Sequence, residues 1–211
     1  MKTLFSSMDP ADPPPFHQLG ELPFQEMCRD IFEREEGIAT CEIYGVPGQG
    51  QYGVDLKATA QSNTHTEVAQ CKCWEQFPPR EIERASDKFL NNIEFWRGRK
   101  VTRFILMVAS PLDTTQQHES IETQIERFAA AGITYERWSS RTLRTKLKDH
   151  RDIVFRYTRS TEWVEAICGS AIDNGQTSNI VSGKISLVES IVLAQLPIYS
   201  AGLFKEIAES C

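Results

Sequence analysis

Three features of this 211-residue chain predict an α/β fold with a mixed sheet flanked by helices. Apolar residues recur at a helical period around residues 24–32, 82–93 and 121–129, with short strand-like runs between them. Val101–Ala109 is apolar and rich in β-formers, polar only at Thr102 and Arg103, as expected of a strand buried on both faces. In chain order the segments read α-β-β-β-α-β-α-β, a hairpin or meander followed by crossover helices.

Each element has its own warrant. Residues 1–20 are rich in Asp-Pro and Pro-Pro steps and are read as a disordered or polyproline-like leader. Phe24, Met27, Cys28, Ile31 and Phe32 fall on one face of a helix that Gly37 ends. Cys41–Tyr44 is a short strand. The glycine-rich stretch from Gly45 to Gly53 connects it to the next; it lacks the Gly-Lys-Ser/Thr ending of a phosphate loop. Val54–Ala60 and Glu67–Trp74 are strands joined by a polar turn. Pro78-Pro79 opens a helix carrying Ile82, Ala85, Phe89, Leu90 and Ile93. Gln117–Ala131 is a helix closed by Gly132, Ile133–Trp138 a strand, and Ser139 or Ser140 caps a short basic helix with Leu143 and Leu147. Past Arg159 the strand signal stops. Residues 21–159 are therefore read as one domain and 160–211 as a helical extension.

Composition narrows the class. No run approaches the ~18 apolar residues of a membrane span, and the first 20 residues lack the apolar core of a secretory signal. The six cysteines form no C-x-x-C pair, so they read as reduced thiols, and the chain as cytoplasmic. Net charge is −6, yet residues 137–159 hold eight Lys/Arg against two Asp/Glu. Such a basic block is either a nucleic-acid footprint or a solvated helix face.

The chemistry gathers on two strands. Side chains alternate along a strand, so Gln70, Lys72 and Trp74 share one face while Cys71 and Cys73 take the other. Asp55 begins the neighbouring strand, about 4.8 Å away in a sheet. Asp55 and Gln70 can offer oxygens to a hard divalent cation, and Lys72 can orient a water or offset charge developing at phosphorus. Cys71 and Cys73, with His65 or His118, lack paired zinc-site spacing and are read as packing. The four tryptophans are read as core rather than as a stacking ladder.

Asp55 followed by Gln70-x-Lys72, with Gly53-Val54 before it and Trp74 after it, resembles the Mrr-type branch of the PD-(D/E)xK nuclease superfamily. The opening helix, with Phe24-Gln25-Glu26, is similar to the first helix of that branch. The resemblance covers about residues 22–139. It implies a restriction-endonuclease-like α-β-β-β-α-β core and Mg²⁺- or Mn²⁺-dependent cleavage of double-stranded DNA. It implies metal ligation by Asp55, Gln70 and the Cys71 main chain, with Lys72 positioning the attacking water. The family places a Glu after the Phe of the first helix. Here Gln25 stands there and Glu26 follows, so the site is short of a charge at that point; at about 100° per residue Gln25 flanks the core and Glu26 points away.

On this reading Arg80, Arg84 and Lys88 hold the DNA backbone, together with Arg141, Arg144, Lys146 and Lys148 of the basic block. The acidic tail, with its apolar Ile185–Leu196 segment, suggests an oligomer, or an effector joined to a sensor or ATPase module as in bacterial anti-phage proteins. The alternative is a catalytically inactive adaptor of the same fold.

Overall fold

The computed structural model describes residues 14–45 and 51–170. A five-stranded mixed sheet lies between two helical layers. Strands β1 (Ile38–Ile43), β2 (Leu56–Ala60), β3 (Thr66–Lys72), β4 (Val101–Val108) and β5 (Thr134–Trp138) lie side by side in chain order. β1, β2 and β3 are antiparallel neighbours, whereas β3, β4 and β5 run parallel. Parallel neighbours need a crossover. α2 (Pro79–Leu90) with α3 (Ile93–Arg97) supplies the first, and α4 (Thr115–Ala130) the second. α1 (Glu21–Glu33), α5 (Ser140–Leu147), α6 (Arg151–Thr158) and α7 (Thr161–Cys168) cover the opposite face.

The pattern of buried residues explains this layering. α1 sets Phe24, Met27, Cys28, Ile31 and Phe32 against Leu56, Ala58, Ala69, Ile105 and Met107 of the sheet. On the other face Ile82, Phe89, Trp96 and Phe128 pack on Val68, Phe104, Leu106 and Val108. β4 feeds both layers alternately, which is why its sequence is apolar at nearly every position. Phe89 is the hinge of the second layer, with ring centroids 4.7 Å from Phe104 and 5.3 Å from Phe128. Truncating such a side chain to Ala costs about 3–5 kcal/mol. Thr114 caps α4 reciprocally with Gln117, as the Thr-x-x-Gln spacing allows.

Four expectations are corrected. Phe16, placed in the disordered leader, is buried and opens a 3-10 turn, Phe16–Leu19, because an aromatic ring repays the ordering of a few residues. The helix expected to run from Pro79 through Ile93 divides at Asn91-Asn92. There the Asn92 amide donates to the Lys88 carbonyl at 2.8 Å, and the restart carries Trp96 into the core. Strands β2 and β3 are shorter than expected: Val54 and Asp55 precede β2, and Cys73 and Trp74 follow β3. Trp74 is not core; it is 40% exposed, while Trp96, Trp138 and Trp163 are buried.

α7 takes Trp163, Val164 and Ile167 into the first core, so the compact unit extends past Arg159 and runs through Cys168. The Ile185–Leu196 segment lies outside the described residues. Among the described residues no helix is long and apolar enough to cross a membrane.

Candidate active site

The site forms where the antiparallel and parallel halves of the sheet meet. The β2–β3 register pairs Leu56 with Ala69. The ladder ends at that pair, so Asp55 lies just outside it, while Gln70 and Lys72 alternate onto one face of β3. The Asp55 main-chain N–H donates to the Ala69 carbonyl at 2.8 Å, and its Oδ2 accepts from the Cys71 N–H at 2.8 Å. Lys72 Nζ stands 4.0 Å from the same Oδ2. Asp55 and Lys72 line an open cleft of about 330 Å³ together with Glu21, Leu22, Gln25, Cys73 and Trp74.

Burial pushes the Asp55 carboxyl above the usual aspartate range. The Lys72 ammonium, the Cys71 N–H and the Lys88 ammonium oppose that rise, and Glu21 adds to it. A carboxylate partly stripped of water beside one ammonium is poised to accept more positive charge. Gln70 is 3% exposed, and its Oε1 has no hydrogen-bond partner. A buried acceptor left unpaired costs about 1–3 kcal/mol, so this oxygen gains from any donor or cation that reaches it. Among the described residues no three His, Cys, Asp or Glu side chains gather as a metal-binding group. The oxygen donors are instead the Asp55 carboxylate, which lines the cleft, and the orphan Gln70 amide oxygen, which is buried and does not line it. Both are hard oxygen ligands that fit Mg²⁺ or Mn²⁺, ions that keep several waters of their own.

The first helix presents both of its candidates and one more. Gln25 lines the cleft, and its Nε2 donates to the Asp55 main-chain carbonyl at 3.1 Å, so its amide braces the strand. Glu26 is exposed and does not line the cleft. Glu21, one turn before Gln25 on the same side, does. Sequence reasoning passed over Glu21; its signal was the i, i+4 spacing to Gln25.

Gly53 was also missed as a determinant of the site. It adopts φ +79°, and a Cβ there would lie 2.7 Å from the Phe89 nitrogen and 2.8 Å from the Lys88 carbonyl carbon. The loop therefore rests directly on the α2 backbone. Trp96 Nε1 fastens it further by donating to the Tyr52 carbonyl at 3.1 Å. Two residues later Asp55 enters the site from this clamp.

The expected backbone-holding residues are scattered. On α2, Arg80, Arg84 and Lys88 are exposed; Arg84 pairs with Glu81 at 2.5 Å, and Lys88 lies close enough for Asp55 to feel its charge. The basic block is largely engaged within the fold. Arg141 pairs with Asp113 at 2.8 Å, Arg144 donates to the Ala166 carbonyl at 3.0 Å, and Arg156 pairs with buried Asp30 at 2.6 Å. Lys146 pairs with Glu35 at 2.7 Å and lies 4.1 Å over the Trp138 ring. Glu35 also meets Arg103, which pairs with Glu67 near the start of β3. Lys148 is exposed at the end of α5.

Cys71 and Cys73 do not present thiolates. Burial pushes the Cys71 thiol well up, helped by Cys28, and pushes Cys73 up to about 11. Cys73 Sγ faces the Phe16 and His17 carbonyls, each at 3.6 Å. No protein-family model, curated protein or solved structure matches the chain.

Proposed function

We propose that the chain is a metal-dependent endonuclease of the Mrr-type, PD-(D/E)xK kind, hydrolysing phosphodiester bonds of DNA. The observation that carries this reading is the approach of Lys72 Nζ to Asp55 Oδ2 at 4.0 Å where both line an open cleft. The element order supports it: a helix, an antiparallel three-strand meander, then a helix and a parallel fourth strand surround these residues. Asp55, Gln70 and the Cys71 main chain would hold Mg²⁺ or Mn²⁺, with Glu21 a second carboxylate facing the same space. Bound there, the ion would lower the pKa of a water and neutralise charge on the scissile phosphate. Lys72 holds the attacking water by hydrogen bonding and offsets the negative charge that builds on the phosphoryl oxygens. Asp55 keeps Lys72 oriented, since an ammonium on a flexible stem needs a fixed partner. Arg80 and Lys88, exposed on α2, would hold the backbone of the bound strand and supply affinity without base reading.

One observation favours the inactive adaptor instead: Gln25 spends its amide on the Asp55 carbonyl and brings no charge to the cleft. Plasmid nicking with Mg²⁺ decides between the two. Asp55→Asn and Lys72→Met each reduce nicking by about 10²-fold or more, with cooperative melting retained. Wild-type nicking in both variants overturns the site, and DNA binding with no Mg²⁺-dependent cleavage of either plasmid or a single-stranded oligonucleotide by the native chain establishes the adaptor.

A further inference from the structure

Resting on the nuclease reading, we propose that Trp74 and Leu22 form a slot for one unpaired base, so that the chain engages single-stranded DNA at the cleavage site rather than an intact duplex.

Trp74 is 40% exposed and Leu22 65% exposed, and both line the cleft that holds Asp55 and Lys72. They come from different elements, Leu22 from the first turn of α1 and Trp74 from the chain just past β3. The indole is not loose. Its ring meets Phe77 edge-on, with centroids 5.5 Å apart at 64°, and Phe77 is buried in the second core. An aromatic face held from behind and open in front is the arrangement that takes a second π-system. The other three tryptophans are buried, so Trp74 alone keeps its ring at the surface.

The spacing suits a nucleotide. Trp74 follows Lys72 by two residues, about 6.7 Å in extended chain. An ammonium at a phosphate and an indole at the base of the same nucleotide are separated on that scale. In a duplex the base faces are stacked inside and only their edges reach the grooves. A ring at the rim of this cleft therefore meets a base face only where the base has left the stack, as in a single strand or a frayed end.

The test uses the full chain with Ca²⁺ in place of Mg²⁺, a short oligo(dT), and a hairpin duplex carrying the same number of phosphates. Binding is followed by anisotropy of the labelled oligonucleotide and by intrinsic tryptophan emission, which quenching on stacking reports through Trp74. The expected result is quenching by oligo(dT) and tighter binding of oligo(dT) than of the hairpin. Trp74→Ala removes the quenching and weakens oligo(dT) binding by about 5- to 150-fold, the range for loss of one stacked base. Hairpin binding is unchanged, and Trp74→Phe retains most of the oligo(dT) affinity. Equal losses on both nucleic acids, or none, overturn the slot while leaving the nuclease reading in place. A blue shift on concentrating the protein alone also overturns it, since a second copy would then cover the ring. If the native chain binds neither nucleic acid, the nuclease reading itself falls.

Discussion

Replacing Gly53 by Ala tests whether the site depends on a backbone contact that no side chain makes. Gly53 has φ +79°, which costs an L-residue about 1–2 kcal/mol. The added Cβ would also sit 2.7 Å from the Phe89 nitrogen, 2.8 Å from the Lys88 carbonyl carbon and 3.0 Å from its oxygen. These are main-chain atoms inside α2, so no rotamer change relieves them. Reaching ordinary van der Waals contact requires the loop to retreat by roughly 0.7 Å. Overpacking of that kind costs about 1–3 kcal/mol more. Gly132→Ala is the control: its φ is +78°, but no atom lies within 4 Å of the added carbon. The two variants therefore share the conformational cost and differ by the clash. For a unit of this size the difference corresponds to a melting temperature lower by roughly 3–10 °C in Gly53→Ala than in Gly132→Ala. The displacement is passed to Asp55 two residues on, and a shift approaching 1 Å at a reacting group can cost about 10²-fold in rate. Thermal melts and Mg²⁺-dependent nicking of both variants measure the two effects. Equal melting of the two variants, with native cleavage by Gly53→Ala, refutes the claim that close approach to α2 seats Asp55.

Two further predictions concern buried polar groups. Gln70→Leu removes the unpartnered Oε1 and raises stability by about 1–3 kcal/mol while cleavage is lost; Gln70→Glu melts lower without Mg²⁺ and is rescued by it, as Mg²⁺ titrations of melting temperature will show, and a Gln70→Glu melt indifferent to Mg²⁺ removes Gln70 as a ligand. Burial pushes Asp30 up, but Arg29, Tyr157 and Arg156 outweigh it and hold the carboxyl below the usual range. Its stabilisation is then present above the unfolded value of about 3.9 and is lost as pH falls through the lower folded value. Asp30→Asn costs roughly 1.5–3 kcal/mol at pH 7, and urea melts of the two proteins converge below about pH 4; a gap independent of pH counts against the ion pairs.

The element order was legible because hydrophobic periodicity is a local property. The α1 stripe from Phe24 to Phe32 and the apolar β4 run each declare themselves within a few residues. Element ends were less legible. Val54 and Trp74 read as strand residues, yet both fall outside the ladder, since pairing with a neighbour, not propensity, decides where a strand stops. The spacing of Asp55, Gln70 and Lys72 points to one face; the structure brings Lys72 Nζ to 4.0 Å from Asp55 Oδ2 and leaves Gln70 buried outside the cleft lining.

The sequence by itself determined the α/β class, the helical and strand segments, and the residue types able to bind a hard cation. Only the tertiary structure decided how those residues are used. The basic block reads as a nucleic-acid footprint or a solvated helix face, but Arg141, Lys146 and Arg156 pair with Asp113, Glu35 and Asp30, which are distant in the chain. Glu21 carries no motif and gains meaning only from the cleft it shares with Asp55 and Trp74. Gly53 looked like one glycine among four in a flexible loop until the α2 backbone was found against it. Periodicity reports the chain's relation to itself over a few residues, whereas charge pairing, register and close backbone approach depend on which distant segment becomes the neighbour.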